Sequence, residues 1–284
     1  MSVNIDLITE IASNHSQHSR SSGWWEKMNQ KYSSVFSKEF DSGMARINFG
    51  TTGELLVPNV NFGSISSAHL FGLDELILFA WYQANSQKYH RTLDLGANIG
   101  VHSMLMSKLG FEVTAYEPDP NHIDYFIKNM QSNSIASYQL RKKAIGVNSG
   151  KLDFTRVLGN TTGSHISGAK KNPYGEFDIF EIEVDAIREV ISEGFDFIKM
   201  DVEGYEIQLI SALQPEDFSR MEMMVEIGTT ENATKIYAEL SRLGINAFAQ
   251  KVNWGRVVNL RDLPTSHREG SLFLTSSADM IWEN

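Results

Sequence analysis

The chain has 284 residues, 42% of them hydrophobic and 21% charged, which suits one large α/β domain or a domain with an extension. A formal net charge of -10 speaks against a duplex nucleic-acid binder, although Arg141, Lys142 and Lys143 form a short basic run. The sequence contains no cysteine, so disulfides, thiolate metal sites and cysteine nucleophiles are excluded.

Asp6, Glu10, His15, His18 and Arg20 interrupt the first twenty residues, so no signal peptide is expected and a cytoplasmic location is. The longest apolar run, residues 76–82, is too short for a bilayer span. The first forty residues are polar, with a Ser/His cluster before Trp24 and Trp25, and predict two loosely packed helices. Their aromatic residues suit packing within the chain or against a second subunit. Residues 44–62 predict a small hairpin, and residues 73–84 a helix.

From residue 91 the pattern becomes regular. Strands are predicted at 91–95, 111–116, 138–143, 195–201 and 221–227, with late strands at 245–249 and 271–275. Helices lie between them. One is closed by Gly110, one is capped by Asp119 with Pro120 at its first position, and one carries Ala233, Ile236, Tyr237, Leu240 and Leu243 on one face. This alternation predicts a mostly parallel sheet with helices on both faces. The glycine-rich residues 146–184 interrupt it and are expected at the rim of a site. Residues 1–70 read as an N-terminal extension of helices and strands, and 71–284 as the main domain.

In such a sheet, ligands bind where the strands end and the strand order reverses. The first regular strand ends in Asp94-Leu95-Gly96-Ala97-Asn98-Ile99-Gly100, where glycine lets a ligand approach the backbone. Glu117 follows the second strand, 21 positions after Gly96, the separation at which an acid reaches a ribose diol. Pro118 is placed to pack on an adenine ring. NAD is disfavoured because Asn98 stands where the dinucleotide fingerprint needs its second glycine.

The segments LDLGANIG (93–100), YEPDP (116–120) and IKMDVEGYE (198–206), in this order, resemble the FkbM family of S-adenosylmethionine (SAM)-dependent methyltransferases. The resemblance covers roughly residues 70–230. It implies a Rossmann-like class I methyltransferase fold with a mostly parallel seven-stranded sheet. It also implies methyl transfer from SAM, leaving S-adenosyl-L-homocysteine (SAH), most often to a hydroxyl of a sugar or natural product. Gly96, Ala97 and Asn98 would line the methionine part, Glu117 would hold the ribose, and residues 143–146, with Ala144, would border the adenine. Asp201 would sit beside the methionine or the transferred methyl.

A hydroxyl acceptor needs a base, and Asp201, Glu226 and His165 are the candidates. Lys199, two positions before Asp201, is expected to pair with Asp94 or Asp201, because a lysine inside a parallel strand is costly when unpaired. Asp201 and Glu226 together suit a divalent ion, though this is not the favoured reading. The expected partner is a small-molecule or glycan acceptor. N-methylation of a peptide amide, an NAD-dependent oxidoreductase and a non-catalytic binding protein stay open as alternatives.

Overall fold

The computed structural model describes residues 3–4, 7–170 and 175–282. Asp6 and residues 171–174 of the glycine-rich insertion lie outside the described residues.

The N-terminal segment runs β1 (Val3–Asn4), α1 (Leu7–Ser13), α2 (Gly23–Phe40), β2 (Met44–Asn48), β3 (Glu54–Pro58) and α3 (Leu73–Ala84). β2 and β3 form the expected hairpin, joined by β1 in a small sheet. The two expected helices are present but are not loosely packed. Met28, Tyr32, Phe36 and Phe40 recur every four residues along α2 and form one buried stripe. Phe36 and Phe40 meet the ring of Phe71 at 5.4 and 5.5 Å, and even His18 and Ser19 of the Ser/His cluster are buried.

The regular region follows as β4 (Arg91–Leu95), α4 (Val101–Lys108), β5 (Glu112–Tyr116), α5 (Pro120–Ser132) and β6 (Gln139–Arg141). Next comes the insertion, β7 (Ala144–Gly146), β8 (Gly150–Val157), β9 (His165–Ile166) and β10 (Phe177–Ala186). The chain resumes with α6 (Ile187–Ile191), β11 (Phe197–Met200), α7 (Glu206–Ala212), β12 (Glu222–Glu226), α8 (Thr230–Leu243), β13 (Asn246–Ala249), β14 (Gly255–Arg256) and β15 (Ser271–Thr275). The Asp119 side chain accepts the N–H of Asn121 at the start of α5, and Gly244 ends α8 in the left-handed conformation.

The main sheet has the order β14-β13-β15-β12-β11-β4-β5-β6. The five strands from β12 to β6 are parallel, and β15 runs antiparallel between β12 and β13. Eight strands stand where seven are expected, because the two-residue β14 adds an edge to β13. The order reverses between β4 and β11, which opens a crevice at their carboxyl ends. The insertion builds a second sheet, β7-β10-β8-β9, beside that crevice.

Side chains alternate between two cores, one on each face of the sheet. Phe197 and Met224 join a core shared with α1 to α5, while Ile198, Met223 and Val225 join one shared with α6 to α8. The first core runs from Ile8 to Phe273, so residues before 70 share it with the sheet.

Candidate active site

One carboxylate ties the turn after β4 to the end of β5. Glu117 accepts the backbone N–H of Asn98 at 2.8 Å with one oxygen and that of Asp119 at 2.9 Å with the other. Asn98 sits in the left-handed region at φ 52. Gly96, at φ +78, is required by close approach, since a Cβ there would lie 1.8 Å from the Asp201 carbonyl oxygen. Behind Glu117, His122 Nδ1 lies 3.6 Å from its carboxylate, and Nε2 lies 3.0 Å from Thr161 Oγ1. Burial opposes the charge on His122, but Glu117 and Asp119 outweigh it and raise the imidazole above its ordinary value.

A cavity of about 910 Å3, counting its mouth open to solvent, occupies the crevice. Of the residues expected from the sequence, Gly96, Ala97, Asn98, Glu117, Pro118 and Ala144 line it, as do Asp201 and His165. Three others do not. Asp94 is fully buried under α4, where its carboxylate accepts the Ser103 hydroxyl at 2.6 Å. Gly100 faces Phe126, whose ring carbon Cδ2 would be 2.7 Å from an added Cβ, so its bareness serves helix packing. Glu226 ends β12, one strand further from β4 than Asp201, and is not among the cavity's lining residues.

Lys199 is paired as its place in β11 demands, and with both expected partners. Its ammonium lies 3.7 Å from Asp94 Oδ1 and 3.7 Å from Asp201 Oδ2, and donates to the Gly96 carbonyl at 3.3 Å. Burial works against its charge, but Asp201, Asp94, Glu75 and Glu226 carry it above the ordinary lysine value. Glu226 and Glu203 show the reverse balance. Burial, then Asp201, Glu75 and Glu203, push Glu226 well above the usual range, and burial followed by Asp201 raises Glu203.

The turn after β11 is built by its own acids. Glu203 stands at φ 54 and takes the Lys170 ammonium at 2.5 Å. Glu206 is buried and accepts the N–H groups of Val202 at 3.1 Å and Gly204 at 3.0 Å, which fixes the loop carrying Asp201. Burial pushes its carboxyl up to about 7.

His165 is buried at the cavity wall. Its Nδ1 lies 3.0 Å from the Gly163 carbonyl, which can only accept, so Nδ1 carries the proton. Nε2 is therefore an acceptor, and it has no hydrogen-bond partner. Burial lowers the pKa and keeps the ring neutral.

Glu75 lines the wall but is not read as a site residue in the sequence, since it lies in the first turn of α3, where an acid is ordinarily a helix-start residue; His102, just inside α4, lines it as well. Among the described residues, no group of three or more His, Asp or Glu side chains is arranged to hold a metal ion, and no helix is long and apolar enough to cross a membrane.

Residues 94–254, more than half of the chain, match the sequence profile of the methyltransferase FkbM domain. The chain belongs to the FkbM methyltransferase family. This FkbM protein is thus a SAM-dependent methyltransferase, with the class I α/β fold that the family implies. No curated protein matches it. Among solved structures it is similar to the METTL16 MTase domain, at 12% identity over 95% of this chain and 91% of that one, with a TM-score of 0.45. It is also similar to a SAM-dependent methyltransferase from Agrobacterium tumefaciens, at 12% identity over 81% and 69%, with a TM-score of 0.43. A human methyltransferase 10 domain containing protein matches at 12% identity over 89% and 98%, with a TM-score of 0.41.

Proposed function

We propose that this FkbM methyltransferase moves the SAM methyl group to a hydroxyl of a carbohydrate or natural-product acceptor. The observation that carries the reading is the unpartnered Nε2 of His165, a neutral acceptor on the same cavity wall set as Asp201. A hydroxyl is a poor nucleophile while protonated, and a base of this kind takes its proton as the carbon–oxygen bond forms.

The donor fits the rest of the cavity. Each Glu117 oxygen spends one lone pair on a backbone N–H, which leaves acceptor capacity for the two hydroxyls of a ribose. Pro118 and Ala144 supply the apolar walls for an adenine, and Ala97 with Asn98 border the methionine part. Asn98 Oδ1 is buried without a partner, which suits a ligand amine or amide at that end. When bound, SAM supplies an electrophilic methyl with a good leaving group, and this chain's residues orient it and accept the acceptor's proton.

The experiment is to incubate the protein with labelled SAM and panels of glycosides, hydroxylated natural products and short peptides. Methyl ethers are the expected products. His165→Gln is expected to lower turnover by about 10²–10⁴-fold while SAH still binds. Methyl groups found on amide nitrogen, or an unchanged turnover in His165→Gln, would overturn the hydroxyl reading.

A further inference from the structure

A polar chain crosses the wall between α3 and α4 and ends in the cavity. The Tyr82 hydroxyl lies 2.9 Å from His102 Nδ1, and His102 Nε2 lies 3.0 Å from Glu75 Oε2. A carboxylate can only accept, so His102 Nε2 carries a proton and donates it to Glu75. Burial, reinforced by Asp94, Glu75 and Asp201, holds the Tyr82 phenol well above its ordinary value, so the hydroxyl stays a donor. The hydrogen bond at the cavity end of the chain thus points at Glu75. Burial tends to raise the Glu75 carboxyl, but His102 and then Lys199 bring it below its ordinary value and keep it ionised.

Glu75 and His102 line the same cavity as Asp201, Glu203 and His165. Lys170 joins the segments that carry His165 and Asp201, donating to the Gly163 carbonyl at 3.1 Å and to Glu203 at 2.5 Å, each two residues from one of them. Lys199 is already engaged by Asp94 and Asp201. The wall therefore offers an ionised carboxylate at Glu75 and, independently, the buried acceptor nitrogen of His165, which has no partner. Both need the same complement, a ligand that donates hydrogen bonds.

We infer that Glu75 is an acceptor-binding residue, and that this end of the cavity takes a group presenting two or more hydrogen-bond donors and no negative charge, as a vicinal diol does. Tyr82 and His102 are its positioning residues. The inference rests on the methyl-transfer reading, because it assigns the Glu75 wall to the acceptor side of the bound donor. It excludes acceptors with a phosphate or carboxylate next to the methylated atom, since a like charge beside Glu75 and Asp201 is repelled.

Two SAM-site ligands test this without a known acceptor. SAH is uncharged at sulfur, whereas sinefungin carries an ammonium group where the transferred methyl would be. Calorimetric titration of the wild type is expected to give at least tenfold tighter binding of sinefungin than of SAH. Glu75→Gln is expected to lower that preference at least fivefold while SAH affinity stays within twofold. His102→Gln, which leaves the carboxylate but unseats it, is expected to lower it by a smaller factor. Glu75→Asp, which withdraws the same charge by one methylene, also has to lower it and serves if Glu75→Gln does not fold. Equal affinities in the wild type, or an unchanged preference in the Glu75 variants, overturn the inference. A protein that binds neither ligand overturns the donor reading, which is a distinguishable failure.

Discussion

Glu117 holds the backbone N–H of Asn98 at 2.8 Å. The two residues belong to different strand ends, so the side chain proposed to bind ribose also braces the turn proposed to border the methionine. The brace is necessary because Asn98 occupies the left-handed region, which a non-glycine residue holds only when its surroundings fix it. Donor affinity and loop geometry are therefore linked through one carboxylate.

Glu117→Ala is expected to weaken SAH binding by roughly 1.5–3 kcal/mol, the scale of hydrogen bonds to a charged group. Calorimetry reads this directly. An unchanged affinity would remove Glu117 from the binding site.

Gly96→Ala is expected to be far more damaging than Gly43→Ala. Both glycines have positive φ, so each substitution carries backbone strain of about 1–2 kcal/mol. At Gly43 the added Cβ meets nothing within 4 Å, whereas at Gly96 it would lie 1.8 Å from the Asp201 carbonyl and force β4 and β11 apart. Thermal melts should show a small loss for Gly43→Ala and a loss of folded protein or of SAH binding for Gly96→Ala. Similar melting temperatures for the two would contradict the close approach.

The contrast between these positions bears on what a sequence discloses. Strand β4 and helix α3 appear with their observed limits, because glycine turns and apolar spacing mark their ends locally. The pairing of Lys199 is legible for a similar reason, since a charge inside a parallel strand demands a partner. Glu75 is not legible, because its role depends on a hydrogen bond to His102, 27 residues away, and on which wall of α3 faces the crevice. Asp94 is misplaced by sequence reasoning for the converse reason. It belongs to the motif, but strand alternation turns its side chain under α4 toward Ser103 instead of into the cavity. Gly100 likewise belongs to the motif yet answers to the ring of Phe126.

Lys199→Met is expected to destabilise the protein by about 3–5 kcal/mol, because it strands the buried charge of Asp94. Adding Asp94→Asn should recover part of the loss, since the neutral amide can still accept from Ser103. Denaturant titrations of the two single variants and the double variant measure the coupling. Strictly additive losses would show that the pair does not act as a unit.

Glu206 gives stability a specific pH dependence. Burial raises its carboxyl from 4.5 in the unfolded chain to about 7 in the folded one. Between these values the folded chain holds more protons than the unfolded chain, so stability falls as pH rises. The contribution is fully present below pH 4.5 and is lost as pH passes about 7. Glu206→Gln cannot titrate, yet its amide oxygen can still accept from Val202 and Gly204. The variant gives up the contact at 3.3 Å between the second carboxylate oxygen and the Asn232 amide, so it is expected to melt below the wild type at pH 5. The gap should close as pH rises, with most of the change between pH 5 and 7, because the wild type alone loses stability across that window. Nearby Asp201 and Glu203 reinforce the trend, since an ionised Glu206 repels them and the amide does not. Melting curves at half-unit pH steps measure the difference, and a gap that stays constant from pH 5 to 8 would show that Glu206 is already ionised in the folded protein.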